Sequence, residues 1–252
     1  MGQQCVILAG GLGTRMQHLT ANVPKALIAV NGRPFIDHQL EWLQRHGVDE
    51  VVLSIGHLGQ LLREHVADGQ RFGLRVCYVD EGSLLRGTAG ALRFALDSGV
   101  LRERFLLTYG DSYLPIDFAA CAQAFERSGA PALMTVVRNQ GRWDRSNAIV
   151  EAGAIVLYDK RPSAADYARM QHIDYGLLAF QRSLIAERVP AGPRADLAVL
   201  LHELSLEQAL AAYEVPTRFY EIGSPQGLAD LEAFLSGARE APGLGLNSSE
   251  AS

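Results

Sequence analysis

Five apolar residues in a row, Cys5-Val6-Ile7-Leu8-Ala9, open the regular part of the chain. A run of that length is too short for a helix and suits a strand buried on both faces. Comparable runs recur at 51–55, 75–79 and 105–109. Between them, apolar residues fall at helical spacing over 35–46, 58–67 and 89–97. In the first of these helices Phe35, Ile36, Leu40 and Leu43 share a face, and Gly47 stops it. Strands and helices in alternation predict βαβ units, hence a mostly parallel sheet with helices on both faces. The second half is less regular. Strands are expected at 133–138, 148–150, 154–158 and 175–180, forming a small antiparallel portion. A Pro- and Gly-rich loop follows at 190–196. Ser205 with Gln208 predicts a capping box for a helix through Ala212. Ser224-Pro225 predicts the start of a last helix, ending at Gly237. Beyond it, Gly, Ser, Asn and Glu dominate 238–252 and predict a disordered tail. The expected fold is one α/β domain over 1–237, a Rossmann-like three-layer arrangement around a mixed sheet.

Composition narrows the classes. Of 252 residues, 48% are hydrophobic and 20% charged, the profile of an ordinary globular protein. A formal charge of −5 argues against a general nucleic-acid surface. It leaves room for a local cation cluster that binds a small anion. Cys5, Cys77 and Cys121 are odd in number, far apart and not at metal spacing, so reduced thiols are expected. No apolar stretch reaches the ~18 residues needed to span a bilayer, and no basic region precedes the first apolar run. A cytoplasmic protein with no membrane partner is expected, and a homodimer stays open.

The first strand is followed by Gly10-Gly11-Leu12-Gly13-Thr14-Arg15, and nine residues later by Pro24-Lys25. Glycines after a strand let backbone N–H groups turn toward an anion without a Cβ in the way. Arg15 and Lys25 bring two cations to the same strand end. The pattern predicts a polyphosphate loop. It is not the dinucleotide fingerprint, which wants a glycine where Arg15 stands, nor the Walker loop, since Lys25 lies too far downstream. Gly56-His57, the stretch 81–90 and Gly110-Asp111 also fall at predicted strand ends, where ligands of such sheets bind. A carboxylate such as Asp111 beside a triphosphate is a natural Mg²⁺ ligand; an Asp that caps a turn is the alternative.

The glycine loop with Pro24-Lys25 resembles the signature of the sugar-1-phosphate nucleotidyltransferases, or NDP-sugar pyrophosphorylases. Gly87-Thr88-Ala89-Gly90, Tyr109-Gly110-Asp111 and Glu221-Ile222-Gly223-Ser224-Pro225 match further segments of that family in the same order. The likeness covers about residues 4–236 and is strongest to short bacterial heptose- or mannose-1-phosphate guanylyltransferase-like enzymes. It implies transfer of a nucleotidyl group from a nucleoside triphosphate to a sugar-1-phosphate, with Mg²⁺. It implies a nucleotide-binding half over about 1–130 and a sugar-phosphate half over 131–237. Arg15 and Lys25 become the catalytic cations. Leu8, Ala9, Gly10, Gly11, Gly13, Thr14, Glu81, Gly87, Thr88 and Gly110 become nucleotide contacts. Asn147, Asp159, Lys160, Tyr175 and Gly176 become sugar-phosphate contacts. Asp111 and Glu221 become the metal ligands, Glu221 standing where the family usually has Asp. Loop 141–146 either closes over the sugar or is a solvated hairpin tip. A carboxylate only accepts hydrogen bonds, and guanine offers two adjacent donors, so Glu81 leans the base toward GTP. UTP, CTP or dTTP with the same chemistry is the alternative, and a catalytically silent nucleotide-sugar-binding regulator is another.

Overall fold

The computed structural model describes residues 2–11, 22–192 and 194–237. Gly13, Thr14, Arg15 and the tail 238–252 lie outside these residues. The strands are β1 (Gln3–Leu8), β2 (Ala29–Val30), β3 (Arg33–Pro34), β4 (Val48–Ile55), β5 (Arg75–Asp80), β6 (Arg104–Tyr109), β7 (Ser112–Tyr113), β8 (Ala132–Arg138), β9 (Ala148–Glu151), β10 (Ala154–Tyr158), β11 (His172–Gln181), β12 (Leu210–Val215) and β13 (Tyr220–Glu221). The helices are α1 (Phe35–Arg45), α2 (Gly59–Val66), α3 (Gly87–Asp97), α4 (Phe118–Ser128), α5 (Ala164–Arg169), α6 (Arg182–Arg188), α7 (Leu197–Leu206) and α8 (Pro225–Leu235).

Nine strands form one sheet in the order β5-β4-β1-β6-β11-β8-β12-β10-β9. β1 lies parallel between β4 and β6, with Cys5 opposite both Val51 and Leu106. Cys5, Val6 and Ile7 have no exposed surface. Period two explains why all three are apolar. Cys5 and Ile7 join the core under α1, α2 and α4, whereas Val6 joins the core under α3, α6 and α7. Helices on both faces give the three layers. A third, smaller core packs β2, β7 and β13 against α8 through Val30, Tyr113, Tyr220 and Leu231.

The registers align the carboxyl ends of four strands. Leu8 faces Ser54 and Tyr109, and Ile55 faces Asp80. The loops after β1, β4, β5 and β6 therefore leave one rim. Among the described residues no helix is long and apolar enough to cross a membrane.

Two sequence expectations need correction. The antiparallel strands are not a separate portion. β11 is inserted antiparallel between β6 and β8, and β10 and β9 extend the same sheet. Leu178, Ala179 and Phe180 are all fully buried, so β11 needs cover on both faces and takes a central place. The capping box at Ser205 is absent as well. α7 begins at Asp196, whose side chain accepts from Ala198 N at 2.9 Å, and ends before Gln208 at φ +57°. Ser205 is fully buried, donates to His202 O at 2.6 Å and accepts from Tyr158 N at 3.0 Å. Residues 210–215 then pair parallel with β8, because tertiary pairing overrides the helix preference of Ala211 and Ala212.

Candidate active site

A cleft of about 460 Å³ opens on the rim of aligned strand ends. The predicted contacts Leu8, Ala9, Gly10, Gly11, Glu81, Gly87, Thr88 and Gly110 line it, together with Lys25 and Asp111.

Lys25 starts a tight 3-10 turn behind Pro24, which is fixed at φ −62°. The turn is closed by Leu27 N donating to Pro24 O at 2.8 Å. It aims Lys25 Nζ at Asp111 Oδ2, 2.6 Å away and largely screened from solvent. Asp111 sits in the turn between β6 and β7. Gly110 N donates to Leu8 O at 2.9 Å, and Ile222 N donates to Asp111 O at 3.0 Å. A Cβ at Gly110 would lie 2.8 Å from the Ala9 Cβ, so the approach of this turn to β1 requires glycine. β13 pairs with β7 and sets Glu221 opposite Ser112, the residue after Asp111. Two carboxylates thus come from adjoining backbone, Asp111 from the turn before β7 and Glu221 from β13, and Asp111 is already bound to Lys25. This oxygen-only set suits a hard cation that takes its remaining ligands from phosphate and water.

Glu81 is buried beneath the glycine loop, its Oε1 only 3.1 Å from where a Gly10 Cβ would stand. Ser54 Oγ donates to Oε1 at 3.2 Å and Arg86 N to Oε2 at 3.0 Å. Among the described residues each oxygen thus accepts one donor, which leaves a lone pair on each for a ligand.

Gly87 is required by the protein itself. At φ +73° its Cβ would lie 2.4 Å from Ala195 O. That carbonyl accepts Ala89 N at 3.1 Å and Gly90 N at 3.2 Å, satisfying the open start of α3, while Ala195 N donates to Arg86 O at 2.9 Å. Thr88 Oγ1 donates to Asp196 Oδ1 at 3.0 Å and accepts Leu197 N at 2.8 Å. Burial pushes Asp196 up, but the Ala198 amide, the Thr88 hydroxyl and the charges of Lys160 and Arg194 together hold its carboxyl below the usual range. This docking delivers Arg194 to the cleft wall. Sequence reading missed it; the available signal was a lone cation two residues before the helix cap Asp196.

None of the predicted sugar-side residues lines the cleft itself; Lys160 shares the surroundings of Asp196 with Arg194. Asn147 Oδ1 accepts Asp174 N at 2.9 Å, and Asn147 O accepts Asp159 N at 2.9 Å. Lys160 is exposed, and its charge acts on Asp174 and Asp196 alike. Gly176, at φ +96°, sits in an irregularity of β11 against β8. The side chain of Thr135 stitches that irregularity by donating to Leu177 O at 2.7 Å. Burial pushes Asp174 up, against hydrogen bonds from Gly176 N at 3.0 Å and the Tyr158 hydroxyl at 3.2 Å. Tyr109 lines the cleft, and burial together with Asp174, Asp196, Asp111 and Glu221 drives its phenol far up, keeping it neutral.

The side chain of Tyr175 does not reach a sugar. Its ring is 1% exposed, in the core with Ile173 and Leu177, and edge-on to Phe219. Its hydroxyl donates to Arg218 O at 3.2 Å. Strand alternation puts Tyr175 on the face opposite its neighbours Asp174 and Gly176. Loop 141–146 is fastened to Asn139, whose Nδ2 donates to Asp144 O at 2.7 Å and Ser146 Oγ at 3.0 Å. Arg145 lies over the Tyr167 ring at 4.1 Å.

The chain is similar to several known proteins. A UTP–glucose-1-phosphate uridylyltransferase of Synechocystis is 26% identical over 228 residues, which are 86% of this chain and 58% of that protein. A D-glycero-alpha-D-manno-heptose 1-phosphate guanylyltransferase of Campylobacter jejuni is 33% identical over 116 residues, 46% of this chain and 51% of that one. The chain spans only 51–58% of the length of these two curated relatives. HddC from Yersinia pseudotuberculosis, complexed with GMP-PN, superposes with a TM-score of 0.73 at 20% identity, covering 93% of this chain and all of that one. The inositol-1-phosphate CTP transferase of T. maritima superposes with a TM-score of 0.75 at 21% identity, covering 95% and 97%. These superpositions show the fold. The family model described as nucleotidyl transferase matches residues 4–232, nearly the whole described chain, and with the strand-end cleft it makes this protein a member of the nucleotidyl transferase family.

Proposed function

We propose that the chain transfers a nucleotidyl group from a nucleoside triphosphate to a sugar-1-phosphate, a heptose or hexose, releasing pyrophosphate. The observation that carries this reading is the Lys25–Asp111 pair at 2.6 Å beside the glycine loop, with Arg194 on the same cleft. A phosphate monoester oxygen of the sugar phosphate attacks the α-phosphorus, and the bond to the bridging oxygen of the leaving pyrophosphate breaks in line. The sugar phosphate is already an anion near pH 7, its second pKa being ~6, so no protein base has to take a proton. The work left to the chain is positioning and charge stabilisation. Lys25 neutralises the α-phosphate, and Arg15, on its place in the sequence motif, holds the leaving phosphates. Arg194 and Lys160 receive the sugar phosphate. Asp159 and Asn147 meet sugar hydroxyls, and Gly176 lets the ring lie against backbone. Asp111 and Glu221 would hold Mg²⁺, which supplies charge neutralisation on the triphosphate when bound.

GTP is the nucleotide this reading favours. The lone pairs left on Glu81 suit the adjacent ring N–H and amine of guanine. Glu81→Gln fits the protein, its oxygen toward Arg86 N and its amide toward Ser54 Oγ. It should nevertheless lower kcat/KM for GTP by roughly tenfold to a hundredfold while sparing UTP and dTTP. Pyrophosphate release is measured for all four ribonucleotides and dTTP against a panel of sugar-1-phosphates, wild type beside Glu81→Gln. Silence across the whole panel refutes the enzyme reading. Turnover with an unchanged base preference in the variant refutes only the role of Glu81.

A further inference from the structure

The turn that carries Asp111 is clamped from beneath by a side chain outside the cleft. Gln39 of α1 is 4% exposed. Its Nε2 donates to Tyr109 O at 2.9 Å and to Ser112 O at 2.9 Å. These two carbonyls flank Gly110 and Asp111, so one amide group ties both ends of the turn to α1. The same orientation leaves Gln39 Oε1 buried with no hydrogen-bond partner among the described residues. Reversing the amide would only turn that oxygen onto two carbonyls. A buried acceptor left bare is unfavourable and asks for a reason. Packing alone does not supply one, because a methionine of similar volume would fill the space without a stranded side-chain oxygen, at the cost only of the two hydrogen bonds to Tyr109 O and Ser112 O. What this glutamine provides is two N–H groups on one nitrogen at the reach needed to meet both carbonyls. Leu8 O and Ile222 N hold the turn from the sheet side, and Gln39 holds it from the helix side.

We propose that Gln39 is a positioning residue. By pinning Tyr109 O and Ser112 O it fixes the direction of the Asp111 carboxylate, so that one oxygen meets Lys25 and the other a divalent cation. The proposal rests on the reading of Asp111 as a metal ligand. Partners behind a ligand commonly change metal affinity by ~10–100-fold, and Gln39 acts through backbone, so about tenfold is expected.

The test uses the full chain with Mn²⁺ as the probe, followed by electron paramagnetic resonance in the presence of a non-cleavable nucleoside triphosphate analogue. Gln39→Met should melt within about 5 °C of wild type, because the loss of two hydrogen bonds to carbonyls is partly offset by removal of the stranded acceptor. It should bind Mn²⁺ about tenfold more weakly. In turnover, the half-saturating Mg²⁺ concentration should rise by a similar factor, while kcat at saturating Mg²⁺ falls less. Gln39→Asn keeps the amide but is one methylene too short to bridge both carbonyls. It should also bind Mn²⁺ more weakly, and it decides the matter if the Met variant fails to fold. Asp111→Asn is run alongside. If it weakens Mn²⁺ binding and the Gln39 variants do not, the positioning role is refuted by itself. If it leaves Mn²⁺ binding unchanged, the metal reading of Asp111 falls and the proposal falls with it.

Discussion

Replacing Gly87 with alanine tests how the base loop is built, independently of any substrate. Two penalties arise. At φ +73° an alanine is in the left-handed region, which costs ~1–2 kcal/mol. Its Cβ would stand 2.4 Å from Ala195 O, about 1 Å inside ordinary contact. That carbonyl must retreat from Ala89 N and Gly90 N, and each hydrogen bond lost is worth ~1 kcal/mol. Restricting the unfolded chain returns only ~0.4–1 kcal/mol. The net loss should be about 3 kcal/mol, or a fall of roughly 6–12 °C in melting temperature for a chain of this size. Gly99→Ala is the control. It has nearly the same backbone angle, φ +71°, but nothing within 4 Å of its Cβ. The difference between the two variants, about 2 kcal/mol by these hydrogen-bond values, isolates the carbonyl contact. Urea unfolding of both variants measures it. Steady-state kinetics should also show a raised KM for the sugar phosphate in Gly87→Ala, since Arg194 moves with the displaced segment. Gly87→Ala no less stable than Gly99→Ala would refute the reasoning.

Other expectations follow from the same geometry. Lys25→Ala and Arg15→Ala should each lower kcat by ~10²–10³-fold with the fold intact, as loss of a transition-state donor does; near-normal pyrophosphate release in both would remove the nucleotidyl-transfer reading. Glu221→Asp should keep more activity than Glu221→Ala at limiting Mg²⁺, because a hard cation needs the carboxylate. Equal activity of Glu221→Ala and wild type there would exclude Glu221 as a ligand. Asp174 has its pKa raised by burial, so its charged form is destabilised by folding. Its contribution to stability is full below the unfolded carboxylate pKa and is lost as pH rises through the folded one. Asp174→Asn should therefore be more stable than wild type at pH 8, with the advantage vanishing by pH 3. Thermal melts across that range check the sign, and an advantage that grows on acidification would contradict it.

Much of the first half was legible because β1, β4, β5 and β6 are short apolar runs closed by glycine or by an acidic residue at the rim. Their chemistry comes as contiguous motifs, so Gly10, Gly11, Lys25, Glu81 and Asp111 were found together. The second half hides its partners. Leu210–Val215 is made of residues that read equally well as helix, and only β8 decides for strand. Tyr175 looked like a sugar contact because it lies between Asp174 and Gly176, yet strand alternation sends its ring the other way. Arg194 reaches the cleft through a carbonyl docked on Gly87, a contact between distant parts of the chain that no local pattern encodes. Gln39 shares the buried face of α1 with Phe35, Ile36, Leu40 and Leu43, where it and Asp37 pass for helix-face irregularities.

The insertion of β11 has a bearing on how the chain is born. β6 carries the turn with Asp111, and its second neighbour is β11, which pairs Leu178 with Leu107 and Phe180 with Phe105. A ribosome releases β6 well before it has made His172, where β11 begins. Through that interval Phe105, Leu106 and Leu107 form the open edge of an otherwise assembled parallel sheet, a template for any other strand nearby. The Asp111 turn is incomplete through the same interval, because Ile222 and β13, which hold it, are made later still. Closing that open edge, by delivery of a strand from the sugar side, is the step at which this protein is most open to wrong company.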